Sequence, residues 1–197
     1  ESMANWRNKS DIEISYSAFW AHSRCKVSDI TKTEIVMKPE IFKLIYKKVS
    51  GAPTKFPPMW IENAFELLNT PGEWYHDTVT GYLYYYPRSG ENMMDAEAFF
   101  ARQEKLILVC GTFDKPVSNI GFEGIVFEHT TWLYPEYSGG FLDAQANVHN
   151  INTNDWLERA KMPGSLSFCG AVNFRLTNNI FRNLGNAAMD FDCACHN

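Results

Sequence analysis

The carboxylates near the C-terminus are the strongest candidates for chemistry in this sequence. In the stretch A-M-D-F-D-C-A-C-H, Asp190 and Asp192 stand two residues apart and alternate with the apolar Met189 and Phe191. Successive side chains of a strand point to opposite faces, so this pattern directs the apolar pair inward and both carboxylates outward, in a row that His196 continues. Two carboxyl groups on one open face can act as acid and base or as acid and nucleophile. We therefore predict Asp190 and Asp192 as catalytic residues and His196 as a substrate contact.

Hydrolysis of a glycosidic bond is one of the reactions that use such a pair. It requires carboxyl groups about 5–5.5 Å apart for retention of configuration and about 6.5–9.5 Å apart for inversion. Parallel strands stack about 4.8 Å apart and alternate residues of one strand lie nearly 7 Å apart, so stacked strands supply both scales. The alternative is an ordinary solvated strand face, because outward positions are polar in any case.

A second group of candidates is suited to sugar binding rather than to bond cleavage. Asp143 and Gln145 fall in a segment with few strand signals, where Asp143 either contacts a sugar or caps amides in a turn. Trp132 and Trp156 offer flat rings that can stack on pyranose faces. We predict these four residues as substrate-binding groups.

Two conspicuous clusters are interpreted as structural. Cys193, Cys195 and His196 form a C-x-C-H sequence without a second ligand pair at zinc-site spacing, so we expect no metal, no cofactor, and inward cysteines that fill the core. Glu73 and Asp77 lie in a hairpin whose turn chemistry explains both carboxylates without catalysis.

The elements that position these residues are predicted from two similar stretches, residues 117–132 and 171–185. Laid over each other, they align Phe122 with Leu176 and Phe127 with Phe181, and each copy is a short strand, a polar corner and a second strand. Asparagines stand at the corners, where they tolerate left-handed conformations. This repetition is typical of the coils of a parallel β-helix.

The preceding part of the chain reads as a β-rich module. Strands are predicted at 11–16, 34–37 and 105–109, helices at 40–49 and 61–68, and a hairpin at 73–86 with Gly81 in its turn. A long loop is predicted over 133–165. We accordingly divide the chain into a module at residues 1–108 and the first coils of a β-helix at residues 109–197.

Composition narrows the classes of function. The net charge is −5 and the 18 Lys and Arg residues are scattered, which argues against a nucleic-acid-binding protein. No run of eighteen apolar residues predicts a membrane span, and the start lacks the basic and apolar regions of a signal peptide. Five widely spaced cysteines do not indicate a disulfide framework. The sequence starts and stops within its pattern, so we expect a fragment of a longer protein of undetermined oligomeric state.

A resemblance to known proteins enters at residues 60–87, W-I-E-N-A-F-E-L-L-N-T-P-G-E-W-Y-H-D-T-V-T-G-Y-L-Y-Y-Y-P. The stretch resembles secreted bacterial right-handed parallel β-helix proteins, most closely glycoside hydrolase family 141 and more distantly family 120. The likeness extends through residues 20–24, 116–132 and 140–146 and so covers most of the chain. It is specific for this group of carbohydrate-active proteins rather than for one substrate.

The resemblance implies an all-β chain, a right-handed parallel β-helix of the pectin-lyase-like kind with an attached or inserted β-sandwich-like module. It also implies export to the cell surface, the periplasm or the medium, and a partner that is an oligo- or polysaccharide. It assigns no catalytic residue. Hydrolysis of a plant or host glycan is the leading prediction, followed by a non-catalytic glycan-binding or adhesin-like protein, and then by a polysaccharide lyase with Arg159 or Lys161 as its base.

Overall fold

The computed structural model describes residues 2–18, 21–48, 58–145, 147–152, 155, 157–193 and 195–196. Most of the regular secondary structure in these residues is β-strand, and none of the helices among them is long and apolar enough to cross a membrane. The elements in chain order are β1 Glu13–Ala18, β2 Ala21–Ile30, β3 Ile35–Met37, α1 Pro39–Lys48, β4 Pro58–Glu62, β5 Trp74–His76, β6 Leu83–Tyr85, β7 Ile107–Cys110, β8 Val117–Ser118, β9 Gly121–Glu123, β10 Val126–Glu128, α2 Tyr134–Ser138, β11 Gly140–Gln145, β12 Val148–Asn150, β13 Arg159–Lys161, β14 Gly164–Cys169, β15 Ala171–Val172, β16 Arg175–Thr177, β17 Ile180–Arg182 and β18 Ala187–Asp192.

The chain forms two compact units. The first unit comprises residues 1–97 and 134–160, and the second comprises residues 98–133 and 161–197. This division differs from a single boundary after residue 108, because the segment that follows β10 returns to the first unit before the chain enters β14.

The first unit is built on a seven-stranded sheet in the order β13-β12-β11-β2-β1-β4, with β3 also paired to β2. The pairs β1–β2, β1–β4, β2–β11 and β11–β12 are antiparallel. Ile12 and Ile14 are buried, as the alternation at residues 11–16 predicts, and Leu142 of β11 joins the same core. One face of the sheet therefore forms the hydrophobic core of this unit.

Helix α1 covers part of that core. Pro39 begins it and Glu40 lies in its first turn, where a fixed φ and a negative charge both favour a helix start. Ile41, Leu44 and Ile45 follow at helical spacing and are buried. The helix predicted at 40–49 is confirmed over Pro39–Lys48.

Two predictions for the first unit are wrong. The spacing of Ile61, Phe65 and Leu68 predicts a helix, but Ile61 lies on β4 opposite the buried Ile14, and only a 3-10 turn forms at Phe65–Leu67. The segment 133–165 is not a long loop in its described part, because it contains α2, β11, β12 and β13. Pairing with β2 orders β11, and sequence periodicity alone does not reveal such distant pairing.

The hairpin at residues 73–86 forms as predicted, with β5 antiparallel to β6 and Gly81 at a φ of 76°. Its carboxylates cap local backbone. Asp77 Oδ1 accepts from the amides of Val79 and Thr80 at 3.0 Å each, and Glu73 Oε2 accepts from the Thr70 amide at 2.8 Å. The backbone amide of Thr80 is the main reason why the pKa of Asp77 is lowered. Both carboxylates are structural, as the sequence indicates.

In the second unit, strands pair in parallel with strands that occur much later in the chain. β7 pairs with β14, β8 with β15, β9 with β16 and β10 with β17, and β18 pairs with the other side of β14. The registers join Phe122 to Leu176 and Phe127 to Phe181. The overlay of the two similar stretches is therefore confirmed as a spatial pairing of strands.

The two similar stretches also match each other at their corners and in the interior of the unit. Asn119 and Asn173 have φ angles of 59° and 51°, and Asn173 Nδ2 donates to Asn119 Oδ1. Asparagine tolerates this left-handed conformation because its short polar side chain bonds locally. Inside, Phe127 stacks on Phe181 with ring centroids 5.1 Å apart. Residues that align between the two stretches therefore lie next to each other in the paired strands.

Candidate functional site

Strand β18 carries Asp190 and Asp192 on the outward face of the second unit. Phe191, between them, stacks on Phe168 at a centroid distance of 5.2 Å, and Phe168 is fully buried. Side chains alternate along a strand, so both carboxylates point away from the interior, as predicted. The parallel register with β14 sets Asp190 beside Ser167.

Asp190 is buried although it lies on the outward face, and it is 6% exposed. The Gly164 amide donates to its Oδ2 at 2.7 Å, and the Ser167 hydroxyl donates to its Oδ1 at 2.8 Å. A Cβ at Gly164 would lie 2.5 Å from the Asp190 backbone nitrogen, so only glycine permits this approach. Asp190 is therefore a fixed carboxylate with both oxygens engaged.

Lys161 links the two carboxylates. Its Nζ lies 3.1 Å from Asp192 Oδ1 and 3.8 Å from Asp190 Oδ1, and it donates to the Phe191 carbonyl at 3.1 Å. Those two carboxylate oxygens are thus at most 6.9 Å apart, the sum of their distances to the nitrogen. The Asp192 side chain is 56% exposed. Of the pair, Asp192 is the carboxylate that an external molecule can reach.

Thiols adjoin Asp192 on this face. Parallel pairing places Cys110 beside Cys169, and Cys169 beside Asp192. A hydrogen bond with the Cys193 side chain raises the pKa of the Cys169 thiol to about 11, because it favours the protonated form. Among the described residues, no three His, Cys, Asp or Glu side chains are arranged to hold a metal ion.

Strand β18 ends at Asp192, and this corrects the predicted continuation of the outward row. Cys193 has a φ of 50°, which turns the chain, so it is exposed rather than inward. Cys195 packs partly against the core, as predicted. His196 pairs with Val172 on the next ladder, and its amide donates to the Ala171 carbonyl at 3.0 Å. His196 therefore does not share the row of Asp190.

The remaining predicted residues lie elsewhere. Trp132 is half-buried in the segment between β10 and α2. Asp143 and Gln145 belong to β11 in the first unit, so they stand on a strand and not in a loop. Asp143 Oδ2 accepts from the His22 amide at 3.1 Å, while Gln145 has a φ of 141° at a register shift. Trp156 lies outside the described residues.

The seven-stranded sheet also carries a polar and aromatic face whose residues are not among the predicted site residues. His22 and Trp60 have ring centroids 5.2 Å apart, and Arg24 Nη1 lies 3.1 Å from Glu62 Oε2. Burial is the largest cause of the lowered pKa of His22, followed by the charge of Arg24. The sequence signal for this face is the alternation in H-S-R and W-I-E. Because side chains alternate along a strand, His22 and Arg24 share one side of their strand, and Trp60 and Glu62 share one side of theirs.

Two comparisons connect this geometry to known proteins. Residues 46–88 match the family model described as the GH141 insertion domain. A solved structure titled "Glycoside hydrolase" matches with a TM-score of 0.69 and 27% identity, covering 90% of this chain and 34% of that chain. The chain thus spans about a third of the length of that glycoside hydrolase. A comparison with curated proteins found no match. The resemblance to glycoside hydrolase family 141 is confirmed.

Proposed function

We propose that this chain is part of a carbohydrate-active protein, and that the protein hydrolyses glycosidic bonds of a plant or host glycan. The observation that carries the proposal is the structural match to a glycoside hydrolase over 90% of the chain at a TM-score of 0.69. The match of residues 46–88 to the GH141 insertion domain supports it independently. Export from the cell, which the resemblance to secreted proteins implies, is part of the same proposal.

The architecture that we propose for the second unit is a right-handed parallel β-helix. Among the described residues of this unit, five strand pairs are parallel, and the β9–β16 and β10–β17 ladders repeat at the same sequence interval. Connections between parallel strands of one sheet are almost always right-handed, because twisted strands pack back favourably only in that sense. Such a coil leaves an outward strand face on which a polysaccharide can lie.

The two carboxylates receive different roles in this proposal. Asp192 is exposed, so it is the candidate acid and base that exchanges a proton with the glycosidic oxygen. Asp190 accepts two hydrogen bonds and lies 3.8 Å from Lys161 Nζ, so both of its oxygens are already engaged. Its burial suits electrostatic stabilisation of the positively charged transition state better than direct attack on the sugar.

The test is the release of reducing sugar from a panel of plant and host glycans by the protein in its full native length. Asp192→Asn is expected to lower the rate by about 10²–10⁴-fold without changing the melting temperature, because a positioned acid contributes that factor. Glu123→Gln is the matched control, since Glu123 is an exposed carboxylate on another parallel ladder of the same unit. Undiminished activity of Asp192→Asn would refute the role of Asp192.

Glycan binding without catalysis is the second candidate function, and the exposed Trp60 beside His22 favours it. Wild-type protein that binds glycans but releases no reducing sugar from any of them would support this candidate. A polysaccharide lyase ranks third. Lys161 is engaged by two carboxylates and a carbonyl, an arrangement that does not suit a group that must abstract a proton.

A further inference from the structure

Three rings lie side by side on one face of the seven-stranded sheet in the first unit. The His22 ring on β2 lies 5.2 Å from the Trp60 ring on β4 and 6.4 Å from the Phe141 ring on β11, between centroids. Trp60 is 42% exposed, so part of its surface is open to solvent. An exposed indole that is flanked by other rings offers a broad and flat contact surface.

Strand register explains why these rings meet. Ser15 on β1 stands opposite Arg24 on β2 and opposite Trp60 on β4, and Arg24 stands opposite Phe141 on β11. Residues opposite each other in antiparallel strands project from the same face. The neighbouring residue Ile61 pairs with the buried Ile14, so the opposite face is the core. The rings and Arg24 therefore share the face that does not form the core.

Polar bonds hold this surface in one arrangement. Trp60 Nε1 donates to Glu62 Oε1 at 2.7 Å, and the other oxygen of Glu62 lies 3.1 Å from Arg24 Nη1. The His22 ring bonds the Ser15 hydroxyl, while the His22 amide donates to Asp143 Oδ2 at 3.1 Å. A surface that is already ordered loses little entropy when a ligand binds, which favours affinity.

We propose that this face, defined by Trp60, His22, Phe141, Arg24 and Glu62, is a platform that binds a neutral oligosaccharide, with one pyranose ring stacked on Trp60. Arg24 and Glu62 then supply hydrogen bonds to the sugar hydroxyls at the edge of the ring. The proposal deepens the proposed function, on which it rests, because it adds a glycan contact in the first unit to the carboxylate site in the second.

The charges on this face predict whether it binds neutral or acidic sugars. Arg24 is neutralised by Glu62, Asp143 adds a negative charge, and the lowered pKa of His22 keeps that ring uncharged at neutral pH. A uronate would therefore bring a second negative charge to a face without an unneutralised cation among these groups. The platform is expected to bind neutral chains and to reject polyuronates.

The experiment measures binding by calorimetry to cellohexaose, xylohexaose and lacto-N-tetraose as neutral probes and to hexagalacturonate as the acidic probe. Trp60→Ala is expected to weaken binding of the best neutral probe at least about tenfold, the loss of one stacked ring. Trp74→Ala is the matched control, because Trp74 is 63% exposed on the hairpin strand β5 of the same unit. It is expected to bind as the wild type does.

A second variant guards against misfolding. Trp60→Phe retains a ring but lacks the donor to Glu62, so it should keep most of the affinity, with circular dichroism matching the wild type. Equal affinity of Trp60→Ala and wild type, no binding of any neutral probe, or a preference for hexagalacturonate would each overturn the platform. If the protein releases reducing sugar but its glycan binding does not depend on Trp60, the platform alone is refuted and the proposed hydrolase stands. Trp60-dependent binding without hydrolysis would instead overturn the proposed hydrolase and leave the platform intact.

Discussion

Replacing Asp190 with alanine is expected to destabilise the second unit strongly. The change removes the acceptor of the Gly164 amide at 2.7 Å and of the Ser167 hydroxyl at 2.8 Å, both in buried surroundings. Each hydrogen bond to a charged group contributes about 1.5–3 kcal/mol, so the expected loss in free energy of unfolding is about 3–6 kcal/mol. For a chain of this length, that loss corresponds to a melting temperature lower by about 6–24 °C.

Asp192→Ala is the matched comparison, because Asp192 is exposed and makes an ion pair with the same Lys161. Surface ion pairs contribute at most about 1 kcal/mol, so its melting temperature should fall by no more than about 4 °C. Thermal unfolding followed by circular dichroism measures both variants, and hydrogen exchange at the Gly164 amide reports the local loss of protection. Equal and small shifts for the two variants would refute the reasoning that Asp190 is a buried structural anchor.

Three further predictions follow from local geometry. Gly164→Ala should lower the melting temperature more than Gly121→Ala does, since a Cβ at Gly164 meets backbone at 2.5 Å while one at Gly121 meets only the Arg175 carbonyl at 4.0 Å; equal shifts would contradict this. Burial lowers the pKa of His22, so the unfolded state binds the proton more readily, and the free energy of unfolding should fall as the pH drops below about 6.5. Melting temperatures measured across this pH range should fall less in His22→Gln than in the wild type. Iodoacetamide at pH 8 should label Cys110 faster than Cys169, whose thiol has its pKa raised to about 11; peptide mass spectrometry showing the reverse order would disprove this.

Local patterns predicted the elements whose evidence lies within one stretch of sequence. The alternation around Ile12 and Ile14 gave β1 its inward face, and the helical spacing of Ile41 and Leu44 gave α1. The similarity of residues 117–132 and 171–185 even gave a long-range register, because equivalent strands of repeated stretches pair with one another. Repetition thus carried information that single strands do not.

Elements that depend on distant partners could not be predicted in the same way. Ile61 has helical spacing with Phe65, yet it lies in a strand because β4 pairs with β1 and places Ile61 opposite Ile14. β11 reads as loop because its ordering depends on β2, more than a hundred residues earlier. Tertiary contacts override local preference in both cases.

The candidate site shows the same limit. Alternation correctly placed Asp190 outward, but its burial depends on Gly164 and Ser167 of a neighbouring strand. The turn at Cys193 was also hidden, because a non-glycine residue with positive φ has no strong sequence signal. Likewise, the face around Trp60 emerges only from the three registers that join β1, β2, β4 and β11. Residue types suggested the chemistry, and pairing decided which groups are accessible.

The most direct test of the central claim compares two leaving groups on the sugar that the glycan panel identifies. An acid that protonates the leaving oxygen is needed for a natural glycan and is nearly dispensable for a dinitrophenyl glycoside, whose leaving group departs as a stable anion. If Asp192 is that acid, Asp192→Asn should lose about 10²–10⁴-fold of kcat/KM on the glycan and far less on the activated substrate. An equal loss on both substrates, or no loss on either, would contradict the account.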